Sequence, residues 1–299
     1  MEMRNPIKLY ENLRTVVYVP FYMAIERGDW AAMGINVEVE LSPTTSETAQ
    51  GVIDGRVDVA WGGPMRVMLH HDQDRDCPLV CFGQVVARDP SIIVGREVND
   101  QFHFANLVGK RVGIISEVPT PWMTLQDDLG RAGVDLESVD WVKNQTMTEN
   151  AEALVRGALD VVQIFEPYAG DLVQRGAGKI WHRCAVRGDS CWTSFYTTRA
   201  FIQTKPSDCQ ALVLGIERAL AALQSDDPAN IALTVSKYFP ELPIEDLACM
   251  IEGYRDSRLW PLTTELPVTA FARLKAAMLS GGLISFDAPY DHLVIDVVG

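Results

Sequence analysis

The period of hydrophobic positions along this chain switches repeatedly between two and roughly three and a half. IKLY (7–10) begins as a strand, and ENLRTVVY (11–18) leaves it as a loop. PFYMAIERGDWAAMG (20–34) then puts Phe21, Ala24 and Ile25 at helical spacing and ends on Gly34, a C-cap signal. INVEVEL (35–41) alternates apolar and charged residues, which predicts a half-exposed strand. In SPTTSETAQGVIDG (42–55), Thr44 and Glu47 stand at capping-box spacing for the next helix. VDVAW (57–61) is a strand, GGPMRVMLHHD (62–72) a helix with proline in its first turn, and PLVCFGQVVA (78–87) a long buried strand.

The order then restarts. KRVGIIS (110–116) matches the first strand, and TPWMTLQDDLGRAG (120–133) is a helix ending on glycine. VDWVKN (139–144) is a strand, TMTENAEALVRG (146–157) a helix with a Thr146/Glu149 capping box, and DVVQIF (160–165) a strand ending at Glu166-Pro167-Tyr168. Gly34, Gly55 and Asp58 recur roughly a hundred residues later as Gly133, Gly157 and Asp160. A period that long, occurring twice, predicts a duplicated α/β lobe and not a solenoid.

From about residue 200 the pattern is helix after helix (206–225, 227–239, 243–255, 268–282), expected to pack back on the first lobe. ARDPSIIVGRE (87–97) and SCWTSFYTTRAFI (190–202) are read as the outgoing and returning crossings of a hinge. The predicted fold is therefore α/β: two Rossmann-like lobes with parallel sheets, joined by a two-strand hinge. Residues 1–90 and 197–299 form lobe 1 and residues 91–196 lobe 2.

Bulk composition narrows the function. Charged residues are 22% of the chain, and 40 acidic against 26 basic residues give a net charge of −14. No basic block is present, which disfavours nucleic acid as a partner. No apolar run approaches the roughly 20 residues of a membrane span, so direct membrane insertion is not expected. Cys77, Cys81, Cys184, Cys191, Cys209 and Cys249 include no CxxC pair and no zinc-ligand spacing, and the chain has no P-loop, HExxH, GxSxG or dinucleotide fingerprint. Neither a metal, a cofactor nor a catalytic set is expected.

Four stretches carry a resemblance: ERGDWAAMGINVEVE, GVIDGRVDVAWGG, LVGKRVGI and IFEPYA, in that order across roughly residues 7–240. Together they are similar to the NMT1/THI5-like family, the group that includes sulfonate-, taurine- and nitrate-binding proteins, with a type II periplasmic-binding-protein fold. The resemblance implies a cleft that closes on a small ligand and delivery to the membrane permease of an ABC-type importer. It implies a periplasmic location if an export signal precedes Met1, and a cytoplasmic one otherwise. In a few relatives the resemblance implies chemistry in the same cleft, so the alternative is a small-molecule enzyme on this fold: thiamin-pyrimidine-related, desulfinase-like or a decarboxylase. Against the first, SCWTSFY holds only Cys191 where the pyrimidine synthases carry a cysteine-rich run. Against the last, no cysteine precedes Cys77.

Ligands of open α/β sheets bind beyond the carboxyl ends of strands. In lobe 1 that rule selects Glu11, Asn12, Arg14 and Tyr18, then Thr44 and Thr45, then Trp61, Gly62 and Gly63. In lobe 2 it selects Glu117, Thr120 and Trp122, then Asn144 and Gln145, then Glu166 and Tyr168. Trp61, Trp122 and Tyr168 are candidate aromatic walls. Arg14, Arg66 and Arg88 are candidate anion partners, with a solvated helix face the competing place for Arg66. Glu117 and Glu166 argue for an amine or ring N–H on the ligand, hence a polar heteroaromatic or zwitterionic one. The paired glycines 62 and 63 have two readings: a turn that needs positive φ, or a close approach of ligand to backbone.

Overall fold

The computed structural model describes residues 5–298. Lobe 1 is built on a five-stranded sheet of order β2-β1-β3-β10-β4, with β1 Ile7–Glu11, β2 Val37–Leu41, β3 Val59–Gly62, β4 Leu79–Val86 and β10 Thr193–Thr198. Lobe 2 repeats it as β7-β6-β8-β5-β9, with β5 Ile92–Gly95, β6 Arg111–Gly113, β7 Asp140–Val142, β8 Val161–Ile164 and β9 Lys179–Arg183. The duplication expected from the repeated landmarks is thus present in the topology.

The sheets are mixed, however, and not purely parallel. β1, β2 and β3 run parallel, but β10 lies antiparallel between β3 and β4. In lobe 2, β5 occupies the same place, antiparallel to β8 and β9. The two segments read as hinge crossings therefore enter the sheets: β5 opens the second sheet's run of sequence, and β10, after that run, returns to the first sheet. The boundary drawn after residue 196 falls inside β10, whose pairing lies wholly with the first sheet.

The repeated landmarks have local causes. Gly34, Gly55, Gly133 and Gly157 all take positive φ between 68° and 80°, where a side chain would be strained. Asp58 Oδ2 accepts from the Lys8 amide at 2.9 Å, and Asp160 Oδ2 accepts from the Arg111 amide at 2.9 Å. In each lobe this aspartate, just ahead of the third strand, holds the backbone where the first strand begins.

Helices cover the sheets. α1 Val19–Glu26 and α2 Asp29–Ala32 split the predicted long helix at Gly28, whose φ is +69°. α3 Glu47–Ile53 and α4 Met65–Gln73 complete the first unit. α5 Thr120–Arg131, α6 Met147–Val155 and α7 Tyr168–Gln174 serve the second, and α6 carries the expected Thr146/Glu149 capping box. After α8 Arg199–Thr204, α9 Pro206–Ser225 packs on α1 and α2, where Trp30 Nε1 donates to the Leu212 carbonyl at 3.0 Å. α10 Pro228–Val235 also lies on α1.

α11 Ile244–Asp256 and α12 Val268–Ser280 reach further than the first lobe. The hydroxyl of Tyr254 accepts from the Glu166 amide at 2.9 Å and donates to the Pro90 carbonyl at 3.2 Å, and α12 packs against α5. No helix among the described residues is long and apolar enough to cross a membrane.

Candidate functional site

The carboxyl ends of β1, β3, β6 and β8 converge on a pocket between the lobes. Lobe 1 supplies Asn12, Thr15, Tyr18, Gly63 and Arg66, with Trp192 and Thr193 from the returning crossing; lobe 2 supplies Val118, Thr120 and Phe165. The space enclosed is about 20 Å³, room for little more than one water. Direct hydrogen bonds join the lobes around it. Thr45 Oγ1 donates to the Glu117 carbonyl at 2.7 Å, and Thr15 Oγ1 to the Glu166 carbonyl at 3.1 Å.

Arg66 is the one charged residue in the lining. It is only 6% exposed, and burial pulls its guanidinium below the ordinary value, opposed by the hydroxyls of Tyr196 and Tyr18. No carboxylate pairs with it among the described residues. It also sits in the first turn of α4, where the helix dipole already disfavours a cation. A buried, unpaired positive charge in that place is costly unless an anion joins it. Around it stand donors and acceptors: the oxygens Asn12 Oδ1 and Thr193 Oγ1 have no partner in the protein. Burial pushes the Tyr18 phenol up to about 12, so it remains an O–H donor. The N-termini of α4 and α5 both open at the pocket, and neither carries a side-chain cap.

Gly62 and Gly63 are not in the left-handed region, so a turn that needs positive φ does not account for them. A Cβ on Gly62 would stand 3.3 Å from Asn12 Nδ2 and Tyr196, while one on Gly63 would face Trp192 and, at 3.7 Å, Thr120 Oγ1 of the other lobe. Of the residues selected from sequence, Asn12, Tyr18, Gly63, Arg66 and Thr120 line the pocket and Gly62 backs it, so Arg66 is not on a solvated helix face.

The others have different partners. Buried Glu11 accepts from two Arg14 nitrogens, at 2.8 and 2.9 Å, and from the Tyr22 hydroxyl, so Arg14 and Glu11 neutralise each other outside the pocket. Trp61 is fully buried and stacks on Phe21 at 4.0 Å between centroids, a core residue and not a wall. Trp122 packs edge-on against Trp141 under Lys143, and the Tyr168 hydroxyl accepts from Thr148. Arg88 is held by Asp189 at 2.8 Å.

Glu117 Oε1 accepts from the Met147 amide at the start of α6, and Glu166 Oε2 from the Gly170 amide at 2.7 Å within α7. Burial raises the Glu166 carboxyl, the Gly170 amide and Arg183 pulling against it. Thr44 accepts from the Glu47 amide, Asn144 is exposed, and the Gln145 side chain does not reach the pocket.

Sequence patterning passed over Trp192, Thr193 and Phe165. The first two lie on a segment read as a hinge crossing, and Phe165 ends a strand that reads as core throughout. Among the described residues no three His, Cys, Asp or Glu side chains are placed to hold a metal.

The NMT1/THI5-like family model matches residues 15–230 of the chain. YtlA of Bacillus subtilis (strain 168), a candidate binding protein, is 21% identical over 98% of this chain and 88% of its own length. The periplasmic aliphatic sulphonate-binding protein SsuA of Escherichia coli superposes with a TM-score of 0.77 at 15% identity, covering 96% of both chains. The alkanesulfonate-binding SsuA of Xanthomonas axonopodis pv. citri, solved with MOPS, gives 0.76 at 13% identity over 99% of this chain and 100% of its own.

Proposed function

Because this chain belongs to the NMT1/THI5-like family, we propose that it is the solute-binding component of an ABC-type importer, taking a small organic anion in the cleft between its lobes. The buried, unpaired Arg66 carries this reading. The ligand's acid group sits at Arg66, with Asn12, Tyr18 and Thr193 completing its hydrogen bonds, and its short body lies against Trp192 and Phe165. Sulfonate and carboxylate both suit such a site, and the sulphonate-binding SsuA proteins of similar fold favour the first. The heteroaromatic or zwitterionic ligand expected from Glu117 and Glu166 loses its support, since both carboxylates are spent on helix-start amides.

A cavity of about 20 Å³ admits no such ligand, so entry requires the lobes to part about the two crossings. Delivery to a permease would place the protein on the outer side of the membrane.

The test is a thermal-shift and calorimetric panel of short aliphatic and aromatic sulfonates, matched carboxylates and matched amines, on the wild type and Arg66→Met. Anions should bind and amines should not. Arg66→Met should lose at least about tenfold in affinity, the cost of a hydrogen-bonded charge, while melting higher without ligand. Mass spectrometry should recover the ligand unchanged. Equal anion binding by Arg66→Met would end this reading.

A further inference from the structure

A second and larger cavity, of about 590 Å³, lies beside the hinge, within the size range of small-molecule sites. The outgoing crossing reaches it through Ala87 and Arg88, and Asp189 borders it just ahead of the returning crossing. Gln84 lines it from β4; this residue is 3% exposed and its Oε1 has no hydrogen-bond partner. A buried amide oxygen left without a donor is costly, and turning the Gln84 amide toward the cavity would let a ligand N–H meet it. The loop after α11 closes the cavity with Trp260, which is buried, and Leu262, which is 81% exposed. Two wall charges, Arg258 and Glu265, are in no ion pair among the described residues, whereas Arg88 is already taken by Asp189. The wall thus offers one free cation, one free anion, one unpaired acceptor and an apolar floor.

We propose that this cavity binds a zwitterionic small molecule of the amino-acid class. Its carboxylate meets Arg258, its ammonium group donates to Glu265 and Gln84 Oε1, and its side chain covers Leu262 and Trp260. The site adjoins the cleft through one side chain. Trp260 Nε1 donates to the Val17 carbonyl at 2.9 Å, and Val17 lines the pocket between the lobes. An occupant therefore lies against the outgoing crossing and against Trp260, which supports the cleft. The site stands independently of the anion reading of the cleft.

Calorimetry with the twenty proteinogenic amino acids tests this on the wild type, Gln84→Leu, Arg258→Gln and Arg66→Met. At least one should bind the wild type and Arg66→Met alike, and lose about tenfold or more in Arg258→Gln and Gln84→Leu. Arg258 is exposed, so its variant remains informative should Gln84→Leu fold poorly. No binding by any of the twenty at ~10 mM, equal binding by Arg258→Gln and the wild type, or loss of binding in Arg66→Met alone would each overturn the proposal. The last outcome would move the amino acid into the cleft.

Discussion

The hydroxyl of Thr45 in the first lobe donates to the carbonyl of Glu117 in the second, 72 residues away, at 2.7 Å. The bond exists only while the lobes are together. Glu117 is itself anchored by the Met147 amide, so the acceptor is fixed within its lobe. Thr45→Val keeps the shape and removes the bond, whose net worth is about 0.5–1.5 kcal/mol. Affinity for the anion selected by the cleft panel should fall about two- to tenfold, and small-angle scattering should show a more open population. Unaltered scattering and affinity would show that the contact contributes nothing to closure.

Gly63 is the point where lobe 1 backbone faces lobe 2. Its φ suits any residue, and a Cβ alone would make ordinary contacts. Valine adds two methyls toward Trp192 and Thr120, filling the approach to the backbone. Gly63→Val should therefore fold with a melting temperature near the wild type and lose anion binding by about tenfold or more. Wild-type affinity in this variant would reduce the glycine to a feature of the turn.

Glu166 belongs to the start of α7, with its carboxylate on the Gly170 amide. Glu166→Gln retains an acceptor there and removes a charge that burial disfavours. Calorimetry should show ligand affinity within about twofold of the wild type. A tenfold loss would return this residue to the ligand.

A buried cluster near the hinge sets a pH response. Arg187 pairs with Asp127 and Asp128, and Asp89 accepts from Thr124 at 2.8 Å. Burial pushes the Asp128 carboxyl from 3.8 to about 6, against the pull of Arg187 and with Asp89 and Asp127 adding to the rise. Below the unfolded value both states hold the proton. Between that value and about 6 the folded state alone holds it, so this group's contribution to stability is lost as pH rises through the window. The total is about 3 kcal/mol. Asp128→Asn should accordingly be the more stable protein at pH 7.5, by about 1–3 kcal/mol in urea unfolding, with the gain shrinking to nothing below the unfolded pKa. A difference independent of pH would remove Asp128 as its source.

Local demands were legible along the chain. Strand and helix periods, the glycines at positive φ and the paired Asp58 and Asp160 each depend on neighbours in sequence or on one adjacent strand. A duplicated α/β lobe could therefore be read from them. Two things required the tertiary structure. One is the antiparallel entry of β5 and β10 into the sheets, because an apolar, β-branched run looks the same whether it crosses a hinge or pairs with a strand far away in sequence. The other is the fate of each polar side chain at the strand ends. Glu11, Arg14, Arg66 and Glu166 are all chemically suited to a ligand site. Arg14 found Glu11, Glu166 found the Gly170 amide, and Arg66 was buried without a partner. Partner choice is settled by which groups the packed lobes bring within hydrogen-bond distance, and that distance is a property of the fold, not of the spacing along the chain.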